Sequence, residues 1–458
     1  MTAWRRVLTA ALLASVIAYP APPAAAGVIE ANLEVVGRSD LESLGLYGDV
    51  TVVGTTAIVA TEAPVVPGSP CPTATAKVVD LKNPGKPRVV ASIPFPPGMV
   101  AADVDSATVL TPAFTGDLVA LALSPLPGSC PAAPGPVVAY HDVTDAQSPR
   151  FLAQTPTCPQ CGAGPYSVSL AQRADGKVLA ARADGTGTGV AIDDVTDPAH
   201  PVPVGRWPDP VPAGAPCPGA ATGGATVGAV LHGEGEGALA MFTDRRIYDL
   251  ALSDPAQPSA TGEPQAGAGG RVSAHAAVLP LGNRTIAIVA EDHLDDGCAG
   301  TPPEPGLRVL ALDRETPPRE MDPVRFPGAA GPGRLVASGE LAYVAWHGAG
   351  LRVIDFSQVR ARTVAQFAPA QPDVVGVALL PQHIVVTDLT SGLYVLDRPE
   401  EAGGRATFWS QFLGLLPYLG FAGVAAAMLL VPRLVRARAT SGSTVPTPSP
   451  SPVPRRPA

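Results

Sequence analysis

The chain has 458 residues, 46% of them hydrophobic but only 16% charged and 5% aromatic, so it can bury a large core and is not a disordered polymer. Its 54 prolines exclude long helical bundles, and its 48 glycines follow no collagen period. The formal charge of −9 splits unevenly: residues 27–407 carry 24 basic against 40 acidic side chains, a balance of −16. Nucleic acid and anionic envelope polymers are therefore unfavourable partners for this region, whereas neutral or cationic ones are not.

In chain order, residues 1–26 combine Arg5 and Arg6, an apolar run from Val7 to Ala18, and Ala24-Ala25-Ala26 before Gly27. This is the layout of a cleaved secretory signal and predicts an extracytoplasmic mature chain. An isolated β-rich run, ANLEVVGRS, follows. Then one pattern recurs seven times: an apolar β-rich run ending in Asp, a turn that usually holds Pro, and a second β-rich run. VVDLKNPGKPRVVASIP and VAIDDVTDPAHPVPVGRW show it clearly. The marking aspartates are Asp80, Asp142, Asp194, Asp249, Asp313, Asp355 and Asp397, spaced 62, 52, 55, 64, 42 and 42 residues apart. The shortest spacing fits a four-stranded propeller blade of roughly 40–50 residues. The expectation is an all-β, seven-bladed β-propeller with strands a to d running outward from the axis. The last unit stops after strand c at Asp397, so Leu33 to Ser39 should supply its strand d and close the ring. Each marking Asp is read as structural, its carboxylate accepting backbone N–H groups in the c–d turn.

The runs LRVIDFSQ, LYVLD and VVDLKNPGKP resemble the LVIVD-type repeat of secreted and surface bacterial β-propellers, over Ile29 to Asp397. VAYHDV and RIYDL depart from that repeat. The resemblance implies a fold without a common activity, so it carries over no catalytic residue and no cofactor.

In a propeller the b–c and d–a connections share one face, here called the loop face; the a–b and c–d connections share the other, the turn face. Cys71, Cys130 and Cys298 fall in long b–c connections, and Cys158, Cys161 and Cys217 in d–a connections, so all six map to the loop face. In an exported chain they form up to three disulfides, with fifteen pairings open. Adjacent blades favour Cys71 with Cys130; Cys158 with Cys161 and Cys217 with Cys298 are the pairs taken for the rest, with no argument of position behind them. Cys158-Pro159-Gln160-Cys161 has thioredoxin spacing, but its loop context lacks the helix N-terminus that lowers a thiol pKa, so a structural bridge is expected.

A second cluster, Glu291, Asp292, His293, Asp295 and Asp296, offers carboxylates of the kind calcium takes. It lacks a ligand-spacing signature and reads as a solvated acidic loop, so no metal, cofactor or catalytic residue is assigned. His275 and His347 stand alone in the sequence and read as packed histidines.

Phe408 to Val431 is uncharged, with Trp409 near its start and Arg433, Arg436 and Arg438 just beyond its end. Residues 408–432 are expected to span the membrane once with the C-terminus in the cytoplasm, and 433–458, rich in Ser and Pro, to form a disordered tail. The reading is a cell-membrane protein whose extracytoplasmic propeller, residues 27–407, binds a protein or peptide through its loop face rather than acting as an enzyme. The alternative is a propeller-type hydrolase or lactonase with a metal or acid site at the channel mouth, which would require convergent His, Asp or Glu from several blades.

Overall fold

The β-branched alternation of the repeat units becomes strand wherever a unit can bury both faces of its sheet against neighbouring sheets. The computed structural model describes residues 29–399 except 43–45, 63–70, 72, 127–129, 131–132, 158–163, 187–188, 209–224, 243–245, 263–264, 267–270, 282–283, 293–304, 313–318, 327–330 and 358–359. The predicted signal, membrane span and tail therefore lie outside the described residues, as do Cys158, Cys161, Cys217, Cys298, His293, Asp295, Asp296 and Asp313. Among the described residues no helix is long and apolar enough to cross a membrane.

Seven antiparallel sheets form seven blades. From the axis outward, blade one is Leu46–Val53, Thr56–Glu62, Thr75–Asp80 and Arg88–Pro94. Blade two is Met99–Leu110, Thr115–Pro125, Val137–Asp142 and Arg150–Pro156. Blade three is Ser167–Gln172, Val178–Ala183, Val190–Asp194 and Val202–Trp207. Blades four and five begin with Ala225–His232 and Arg271–Leu281, and their outer strands are broken into two-residue pieces. Blade six begins with Leu335–Ser338 and ends with Arg362–Ala368.

Blade seven has Val374–Leu379, His383–Asp388 and Gly392–Asp397, and Val35–Ser39 pairs antiparallel with the last of these. The N-terminal strand thus closes the ring, as the orphan run predicts. The run is not one strand, however. Asn32 has a left-handed backbone (φ 59°) and breaks it, so that Ile29–Ala31 adds instead to the outer edge of blade six. The Asn32 side chain fixes the break by donating to Val364 O at 2.9 Å.

Closure is also visible in the core, which lies between the blades. A separate apolar cluster fills each of the seven interfaces, including Val385 and Val395 of blade seven against Val50 and Val59 of blade one. At about 25 cal/mol per Å² of apolar area, this stacking is the main stabilising contribution.

The turn aspartates behave as local acceptors. The Oδ1 atoms of Asp80, Asp142, Asp194 and Asp355 accept from the backbone N–H two residues on, at 2.8–3.0 Å. Asp249 departs from the expectation. Strand c of blade four runs two residues further, to Ala251, so the turn acceptor there is Asp254, and Asp249 instead meets His232 Nε2 at 2.9 Å.

The connections are unequal between the two faces. The a–b turns hold two to five residues and the c–d connections six or seven. On the loop face, 12, 11 and 13 residues separate strands b and c of blades one, two and five, and 17 separate blade three from blade four.

Candidate functional site

Strand a is the innermost strand of each blade; among the described residues, apart from the two-residue strand Gly185–Thr186 on blade four and a single bridge from His347 to Val374 on blade seven, its inner edge has no neighbouring strand to satisfy its backbone. Polar side chains from the preceding blade do this instead. Asp103 Oδ2 and Asp105 Oδ2 of blade two accept from Val168 N and Leu170 N of blade three, at 2.9 and 2.8 Å. Ser167 and Ser169 of blade three do the same for Ala229 N and Leu231 N of blade four. Buried backbone donors need such partners, which explains acidic and hydroxyl residues in otherwise apolar strands.

At the loop-face end of these strands the ring brings together residues from separate blades. Arg334, just before blade six, places Nη1 2.6 Å from Asp49 Oδ2 of blade one and 2.7 Å from Asp103 Oδ1 of blade two. The same nitrogen donates to Val104 O at 3.0 Å, and Nη2 lies 3.8 Å from Asp105. Contact between blades six and two is made only across the axis, so this group occupies the mouth of the central channel. The four side chains are only 4–21% exposed.

His275 of blade five completes the arrangement: one of its ring nitrogens and one carboxylate oxygen each from Asp49 and Asp103 lie within 4.8 Å of one another. Beside them His347, on the b–c connection of blade six, holds Asp373 of the next connection, Nδ1 to Oδ1 at 2.8 Å. His347 has a positive φ of 31°, a backbone region rare for residues other than glycine. The structure gives both histidines acidic neighbours that the sequence does not reveal. They are isolated along the chain, but ring curvature places His275 beside two carboxylates and His347 against a third.

Burial shapes the electrostatics. It pushes the Asp49 carboxyl well above the ordinary carboxylate range, with repulsion from Asp103 adding to the shift and Arg334 opposing it. Burial likewise raises Asp105 to about 6 against the pull of Arg334. His275 falls to about 4 because burial disfavours its charged form, and it is therefore neutral near pH 7. The carboxylates hold Arg334 charged despite its burial.

Cys71 and Cys130 are joined by a disulfide between the b–c connections of blades one and two. Gly98 (φ 78°) lies beneath it, and a Cβ there would come within 2.4 Å of Cys130 Cβ. Of the acidic cluster, Glu291 is not on a solvated loop. Strand b of blade five continues to Asp292, and Glu291 is fully buried, its Oε2 2.7 Å from Arg325 and its Oε1 3.7 Å from Arg308 Nε. Alternation along that extra length turns it inward, where two arginines take up its charge.

None of Asp49, Asp103, Asp105 or Arg334 stands out in the sequence as a site residue; the one signal is charge in the opening residues of inner strands. Asp49 and Arg334 are 285 positions apart, so no local motif can hold them. The chain matches no protein-family model and no curated protein.

Proposed function

We propose that the protein is an extracytoplasmic propeller of the LVIVD-repeat kind, anchored by one C-terminal helix, that binds another envelope protein or a peptide across its loop face. The observation that carries this reading is the inequality of the two faces. Connections of up to 17 residues, with a disulfide linking two of them, gather on one side of a rigid ring, while no connection on the other side exceeds seven residues. Long loops on a rigid scaffold are where recognition concentrates. Strand c of blade seven ends on the turn face at Asp397, with ten residues between it and Phe408, which supports a loop face directed away from the membrane.

Photo-crosslinking in native membranes tests this, with the reactive side chain at Thr73 and Gly135 on the loop face and at Asn83 and Asp175 on the turn face. One protein captured from both loop-face positions and neither turn-face position is the expected result. Capture only from the turn face overturns the reading.

A second reading, hydrolytic chemistry at the channel mouth, is favoured by the convergence of Asp49, Asp103 and His275 from three blades. It predicts ester or lactone hydrolysis that disappears in Asp103→Asn.

A further inference from the structure

We propose that Asp49, Asp103 and His275 form a binding site for a divalent transition-metal ion of the zinc type at the loop-face mouth of the channel. Their donor atoms come from blades one, two and five and already lie within 4.8 Å of one another. An ion about 2.0–2.2 Å from each donor needs donors roughly 3.3–4.2 Å apart, a closure that side-chain rotation supplies.

The carboxylates are oriented rather than free. Asp49 Oδ1 accepts from Val50 N at 2.7 Å; Asp103 accepts from Val104 N at 2.8 Å and from Val168 N at 2.9 Å. Such outer hydrogen bonds fix metal-ligating groups. Arg334 already binds both carboxylates, and Asp103 Oδ1 accepts from Val104 N as well, so Asp103 would reach an ion through Oδ2, which accepts from Val168 N and has a second acceptor position. The imidazole selects the ion class: calcium and magnesium prefer shells made of oxygen, whereas two carboxylates and a histidine suit zinc, cobalt or manganese.

The proposal shares its location with the hydrolytic reading but not its chemistry. An ion bound without turnover leaves it standing and removes that reading.

The test is equilibrium dialysis of the untagged, full-length chain against Zn²⁺ and Co²⁺. One ion per chain is expected. His275→Gln and Asp49→Asn should each weaken uptake by about tenfold or more. Asp145→Asn in a turn-face connection should leave it unchanged, and Arg334→Met, which removes a neighbouring positive charge, should tighten it. Where a variant does not fold by circular dichroism, X-ray absorption of the zinc-loaded native chain decides, with one imidazole among oxygen ligands expected. Absence of saturable uptake, uptake unaltered in folded His275→Gln, or a shell without imidazole would each overturn the proposal.

Discussion

Arg334 and Asp103 lie 2.7 Å apart although blades seven and one intervene between them in the ring. One guanidinium at the axis therefore ties blade six to blade two, and through Asp49 to blade one as well. Deleting one partner of a buried ion pair leaves a charge without compensation, at a cost of about 3–5 kcal/mol. Arg334→Met should accordingly lower the unfolding free energy by about that amount, measured by urea titration in the presence of a chelator. Combining it with Asp49→Asn should restore part of the loss, because the second change removes one of the stranded carboxylates. An Arg334→Met protein as stable as the native one would show that the pair contributes nothing net.

The outer strands carry a second regularity. Blades one, two, three, six and seven each have a bulge where strand d meets strand c. The residue after the bulge is Ala91, Ala153, Gly205, Ala365 or Gly37, always small. At two of these the next blade's c–d turn explains why: a Cβ on Gly205 would lie 1.8 Å from Pro255 O, and one on Gly37 2.1 Å from Pro84 O. Gly205→Val and Gly37→Val should each destabilise by about 1–3 kcal/mol or more, through overpacking against backbone that cannot rotate away. Thermal unfolding would check this, and a loss confined to Gly37→Val would mean that only the closing strand is sensitive.

These features divide what can be read in the sequence from what cannot. The blade count is legible because Asp80, Asp142, Asp194 and Asp355 serve their own turns, and turn chemistry acts over two or three residues. Cys71 and Cys130 are legible because adjacent blades are consecutive in the chain. Asp249 misleads, since the same alternation continues two residues past it and moves the turn to Asp254. The channel mouth is not legible, because Asp49, Asp103, His275 and Arg334 come from separate blades and no short segment holds more than one of them. What joins them is the curvature of the ring, a property of packed blades and not of any short segment.

The disulfide between Cys71 and Cys130 closes a loop with a sequence separation of 59. On the chain-entropy account a crosslink of that span contributes about 4 kcal/mol, less any strain in the folded state. Cys71→Ser with Cys130→Ser should therefore lower stability by about 2–4 kcal/mol, measured by urea titration under oxidising conditions. Gly98→Ala should be destabilising while the disulfide is intact, since its Cβ would meet Cys130. An equal penalty for Gly98→Ala with and without the cysteines would place the cost in its left-handed backbone alone.

A final prediction concerns acid sensitivity away from the channel. His141 lies on strand c of blade two beside Phe151, largely buried, and its Nδ1 has no hydrogen-bond partner among the described residues. Burial lowers its pKa from the ordinary 6.5 to about 4, so the folded protein keeps it neutral where the unfolded chain would protonate it. Between those values the unfolded state binds more protons, so stability rises with pH across the window. The contribution is fully present above about pH 6.5 and is lost as the pH falls towards about 4, with an upper limit on the order of 3 kcal/mol. His275 acts in the same direction, while Asp49 and Asp105, whose carboxyls burial raises, act in the opposite one. The net slope of the native protein therefore does not isolate His141, but the difference from a His141→Gln variant does. That variant should lose less stability than the native chain between pH 6.5 and pH 4, by urea titrations at a series of pH values. Parallel curves for the two proteins would mean that His141 titrates normally in the fold.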